Sequence, residues 1–185
     1  MAHLTLCRSA LIGAAQAVWV LGPADRQLRL RRSRTVTAYL YKQHLQYLRG
    51  LQSLGEPHVG TDQVADVVSQ RIPQLAAKRA ADNQGEDLNT TDMIRQAARI
   101  AFPGDARLEN EAVLAWRSSS GAAHGLPWPL FGSPGMRMTK LAGEDGIAEF
   151  QAGGSLDRMA NTYMAAFHLA DVGWGLLERR GSATA

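Results

Sequence analysis

Apolar residues recur at intervals of three and four along most of this chain, and glycine and proline clusters cut the pattern into segments of helical length. From Leu4 to Leu21 a broad apolar face of Leu4, Leu11, Ala15, Val18 and Trp19 predicts a helix that is mostly core. The run starts almost at Met1 with little room for a capping turn, the pattern of a domain shortened at its N-terminus. Gly22-Pro23 stops it, and Pro23 suits the first turn of the next helix. That second helix is expected from about Ala24 to Gly50, with Leu40, His44, Tyr47, Leu48 and Leu51 inward or at the boundary. Thr61 or Asp62 caps a third helix toward Ala81, with a kink or a split near Pro73. Thr90 or Thr91 caps a fourth through Ile100, and a fifth covers Arg107 to Ala123.

Residues 125–155 break the helical rhythm. Seven glycines and three prolines accompany two short strand candidates, Met136–Ala142 and Ile147–Ala152, separated by GEDG, which predicts a hairpin or an ordered flap. Ser155 is the expected cap of a last helix whose stripe is Leu156, Met159, Tyr163, Ala166, Phe167, Ala170 and Trp174. The expectation is an all-α bundle of about five to seven helices with a small β-hairpin. It forms a single domain over residues 1–180, followed by a loose tail at 181–185.

Composition adds two points. The net charge of +3 is modest, but residues 1–50 hold 8 basic and 1 acidic side chains, most of the excess being Arg26, Arg29, Arg31, Arg32 and Arg34. A stripe of that kind suits a polyanion, while a solvated helix face paired with acids from elsewhere is the competing reading. Cys7 is the only cysteine, so an intrachain disulfide and a thiolate cluster are excluded, and a reducing, cytoplasmic setting is expected. The apolar run Leu11–Gly22 falls short of a bilayer's thickness and reads as a buried helix with no membrane role.

The richest chemistry lies where the fifth helix ends, in ENEAVLAWRSSSGAAHGLPWP. Arg117 and His124 are seven residues apart, nearly two turns, which puts both on one face about 10 Å apart along the axis. Ser120 and Gly121 lie between them on that face, leaving room for a second helix or subunit to approach. In the alternative reading Arg117 is held by Glu109, Glu111 or a carboxylate of another helix, and His124 only closes the last turn.

The segment Arg117 to His124 resembles the Arg-x(4–6)-His signature of the HEPN superfamily, all-helical domains found in many prokaryotic toxins and defence ribonucleases. The wider pattern, Trp116 before Arg117, then His124-Gly125 and Trp128, with the first helix from Leu6 to Pro23, also resembles a group of uncharacterised actinobacterial helical proteins. The first resemblance implies metal-independent cleavage of RNA, with Arg117 and His124 as the active pair and Ser118 in the polar place after the arginine. It further implies a homodimer that brings two such motifs together, and a neutralising protein partner. Arg26, Arg29, Arg31, Arg32 and Arg34 then extend the surface for an RNA backbone. A regulatory protein that binds nucleic acid or protein without chemistry is the competing class.

No cofactor and no metal are expected. The histidines never occur as a close pair, and the trio His44, His168 and Asp171 is the one cross-helix set worth naming. The GSPG and GEDG turns lack the lysine and hydroxyl of a phosphate-binding loop, and Ser118 to Ser120 sit in no strand-to-helix elbow.

Overall fold

The chain, a computed structural model, is described over residues 2–54, 60–82, 87–131, 135–153 and 156–182. It is all-α, with six helices and one two-stranded hairpin among those residues. The helices are α1 (Ala2–Leu21), α2 (Arg26–Ser53), α3 (Thr61–Ala81), α4 (Thr90–Ala101), α5 (Ala106–Ala123) and α6 (Leu156–Ser182). Contacts group them into two compact units, Met1–Gly22 with Thr90–Ala185, and Pro23–Asn89.

In the first unit α1 packs against α4, α5 and α6. Leu11, Ala15 and Val18 on α1 meet no solvent, nor do Ile94, Ala97 and Ala98 on α4 or Leu169 on α6. The apolar face expected of the first helix is therefore core at Leu4, Leu11, Ala15 and Val18. The helix is longer than the run Leu11–Gly22, and in length and composition α1 meets the requirement for a membrane span. Gly173 on α6 lies so close to α1 that an added methyl would stand 3.4 Å from Cβ of Ala17. Oδ1 of Asp105 accepts from the amides of Arg107 and Leu108, capping α5 at 3.1 and 3.0 Å.

The last helix turns a different side to this core than its sequence stripe suggests. Thr162, Ala165, Ala166, Leu169 and Leu176 are buried, whereas Leu156, Tyr163, Phe167 and Trp174 are exposed. That side mixes Leu169 and Leu176 with small residues, and α1 lies in contact with it at Gly173. The helix also carries on through Ser182, so Gly181 and Ser182 are helical rather than loose; residues 183–185 lie outside the described residues, as does the expected cap Ser155.

The hairpin pairs β1 (Met136–Lys140) with β2 (Glu149–Ala152) in antiparallel register, Met136 opposite Ala152 and Met138 opposite Phe150. Its ladder shifts between Met138 and Lys140, leaving Thr139 as a bulge. The strands are shorter than expected because the connection is wider than GEDG. Within it Gly146 takes a positive φ of 70° and donates to the Gly143 carbonyl at 3.0 Å.

The second unit is an antiparallel pair, α2 against α3. Its buried set is Leu45, Leu48, Ala65 and Val68, with Tyr41 and Ile72 packed around it. Leu40, His44 and Tyr47, expected inward or at the boundary, are exposed, because the adjacent stripe of α2 is the one that meets α3. Neither Thr61 nor Asp62 caps α3; Gly60, at φ 81°, takes that place. Pro73 sits within the continuous helix α3 on its solvent side, so the expected split does not occur.

Candidate functional site

The end of α5 is built by a helix-terminating motif. Gly125 adopts φ 68°, its amide donates to the Ala122 carbonyl at 3.1 Å, and the Leu126 amide reaches back to Gly121 at 2.9 Å. His124 is the capping residue and its own amide bonds to Ser120 at 3.1 Å. Three of the last carbonyls are thus satisfied by backbone donors. The His124 ring is left exposed, with no hydrogen-bond partner among the described residues.

Arg117, Ser118 and His124 line one open hollow of about 720 Å³, whose walls include Trp116, Ser120 and Trp128. The spacing of seven therefore does put the arginine and the histidine on a common surface. Ser119 points the other way: it is wholly buried and its hydroxyl donates to the carbonyls of Ala115 at 2.7 Å and Trp116 at 3.1 Å. Glu109 pairs with Arg99 at 3.4 Å and Glu111 with Arg107 at 3.0 Å, so neither holds Arg117. Arg117 is exposed and has no ion-pair partner among the described residues.

The close approach at Gly121 is made within the chain. The 3₁₀ turn Trp128–Leu130 folds back on α5, and a methyl added at Gly121 would stand 2.5 Å from Cζ2 of Trp128 and 2.7 Å from Cγ of Pro129. The small-residue strip that suggested access for a second subunit is filled there by these two rings. Gly121→Ala is expected to displace the turn and to cost about 1–3 kcal/mol. Urea unfolding measures the loss, and a red-shifted tryptophan emission reports the displaced Trp128. An unchanged midpoint and spectrum would remove this contact from the account.

One site residue was not legible in the sequence. The guanidinium of Arg8 lies over the Trp116 ring, 4.9 Å from its centroid, while the Trp116 indole N–H donates to Thr91 Oγ1 at 3.3 Å. Arg8 Nε is buried and makes no hydrogen bond among the described residues. The available signal was its isolation as the sole Arg, Lys, Asp or Glu in α1.

The arginine stretch belongs to the second unit and is divided in its surroundings. Arg29 donates to the carbonyls of Pro23 at 2.9 Å and Ala24 at 2.7 Å, closing the start of α2. Arg34 forms an ion pair with Asp82, both about 30% exposed. Arg32 is partly buried, and desolvation lowers its pKa from the ordinary arginine value. Arg26 and Arg31 are exposed.

Protein-family models, curated proteins and solved structures offer no likeness to this chain. Among the described residues no three His, Cys, Asp or Glu side chains gather where an ion would be held. His168 instead packs its ring on Phe102 and Phe167, at centroid distances of 6.1 and 5.7 Å.

Proposed function

We propose that this protein is a metal-independent endoribonuclease working at the hollow of Arg117 and His124, with the chemistry of the HEPN superfamily that its Arg-x6-His segment resembles. The observation that carries the reading is the shared hollow, with Arg117 unpaired among the described residues. Cleavage by this route has the 2′-hydroxyl of RNA attack the adjacent phosphorus while the bond from phosphorus to the 5′ oxygen breaks. The unprotonated His124 ring takes the 2′ proton, and the imidazolium or water returns one to the leaving oxygen. Arg117, an exposed and permanently charged fork of donors, meets the charge that builds on the phosphorane. The products are a 2′,3′-cyclic phosphate and a 5′-hydroxyl. Trp128, half exposed beside the pair, supplies a face on which an unpaired base can stack.

A non-catalytic RNA-binding relative is the second reading. It is favoured by the His124 ring, which has no hydrogen-bonding neighbour among the described residues to orient it as bases in catalytic pairs are oriented. The test is cleavage of a labelled RNA pool in EDTA by the parent, Arg117→Ala and His124→Ala, each checked by circular dichroism. Cleavage by the parent and loss in both folded variants supports the nuclease. RNA binding without cleavage supports the second reading, and cleavage that both variants retain removes this hollow from the reaction.

The exposed members of the arginine stretch have their own test. Arg26→Gln with Arg31→Gln is expected to weaken RNA binding and to flatten its dependence on salt by about one to two phosphate contacts. Binding unchanged at low and high salt would exclude α2 from the RNA surface.

A further inference from the structure

We propose that two copies of this chain pair through α6, antiparallel, along a heptad seam that the fold leaves in solvent. The seam is Leu156, Ala160, Tyr163, Phe167, Ala170, Trp174 and Leu177, an unbroken alternation of four- and three-residue steps over the length of the helix. That alternation is the signature of a helix packed against another helix in a coiled coil. Yet the large residues among them stand about half or more in solvent, the Tyr163 and Phe167 rings stacking on each other at 6.3 Å and Phe167 meeting the edge of His168 at 5.7 Å. Leu156 is 80% exposed, Trp174 65%, Tyr163 55%, Phe167 52% and Leu177 48%. The core of the first unit uses another side of α6, where Thr162, Ala165, Ala166, Leu169 and Leu176 are buried, and the large seam residues stay exposed among the described residues.

The order of residues along the seam identifies its occupant. An isologous contact requires that residue i meet residue j of the second copy while j meets i. Around Ala165 the seam is symmetric in just this way: Leu156 stands as far before it as Trp174 stands after it, and the same holds for Ala160 with Ala170 and Tyr163 with Phe167. An antiparallel pair thus sets Trp174 of each copy on Leu156 of the other, Tyr163 on Phe167, and the two alanines together. Each large ring meets a different partner rather than its own image. A parallel pair would instead oppose Trp174 to Trp174. The antiparallel arrangement also lets the two helix dipoles attract.

The area is adequate. Three rings exposed by half or more, with two leucines, present on the order of 600 Å² a copy, against roughly 800 Å² per partner in a standard stable interface. Met164, 44% exposed at the flank near Ala165, adds to it. Asp157 and Asp171 flank the seam and face each other across the antiparallel pair, so the contact is apolar and salt screens its one repulsion. The pairing stands on α6 alone and is independent of the reaction assigned to the Arg117 hollow.

Sedimentation equilibrium of the full chain is expected to show a dimer that tightens as salt is raised. Phe167→Glu and Trp174→Glu, at positions more than half exposed that each enter the interface twice, are each expected to weaken it by about 30-fold or more. Orientation is read by cysteine cross-linking in a Cys7→Ser background. Met164→Cys should link to its own counterpart, and Trp174→Cys should link to Leu156→Cys but not to itself. A monomer at every concentration, a dimer indifferent to both glutamates, or self-linking of Trp174→Cys would each overturn the proposal. So would binding of a monomeric parent to anionic phospholipid vesicles that Phe167→Glu abolishes, since the seam would then be a lipid-facing surface.

Discussion

His124→Ala is expected to slow RNA cleavage by about 10²–10⁴-fold, the ordinary contribution of a positioned acid or base. Arg117→Ala is expected to cost about 10²–10³-fold, the scale seen when one donor to a developing negative charge is removed. Both side chains are exposed and neither makes a side-chain hydrogen bond or ion pair among the described residues, so their loss leaves the fold intact. The conservative change separates charge from geometry. Arg117→Lys keeps the cation but loses the planar fork, and should recover only part of the rate, chiefly in kcat. Single-turnover kinetics with saturating enzyme read these effects free of product release. A His124→Ala variant within a few-fold of the parent would exclude the imidazole from the proton transfers.

Leu11→Ala is expected to lower the stability of the first unit by about 2–5 kcal/mol, and Leu169→Ala by a similar amount. Both leucines have no exposed surface, and they lie on α1 and α6, the two helices in most intimate contact. Each truncation leaves a cavity that the surrounding close-packed core closes only in part. Leu6→Ala is the control: it removes the same atoms from a position on α1 that is 70% exposed, and should change stability by less than about 0.5 kcal/mol. Urea denaturation followed by far-ultraviolet circular dichroism separates the two classes. Equal effects at Leu6 and Leu11 would mean that α1 does not pack as described.

Helix positions were legible in the sequence because glycine, proline and capping residues act locally. Gly22-Pro23 and Gly125 mark the ends of α1 and α5 whatever surrounds them, whereas α2 begins at Arg26 under an Asp25 cap rather than with Pro23 in its first turn, and neither Asp25 nor Asp105 stood out as a cap. The facing of a helix was less legible. Both α2 and α6 carry two apolar stripes, and periodicity detects a stripe without saying which one turns inward. On α6 the large residues Tyr163, Phe167 and Trp174 attract attention, but the core takes Ala165, Ala166, Leu169 and Leu176, with Gly173 in contact with α1. The pairing of Arg117 with His124 was readable for the opposite reason, since seven residues on one helix fix their relation regardless of tertiary structure. Arg8 over Trp116 and the filling of the Gly121 strip by Trp128 and Pro129 join distant or re-entrant segments, and nothing local announces them.

The most direct test of the central claim compares one RNA oligonucleotide with the same sequence carrying a 2′-deoxy sugar on the 5′ side of the scissile phosphate. The His124 and Arg117 account predicts cleavage of the first to a 2′,3′-cyclic phosphate and none of the second at that bond, because the attacking oxygen is gone. Equal cleavage of both, leaving linear phosphate ends, would contradict it.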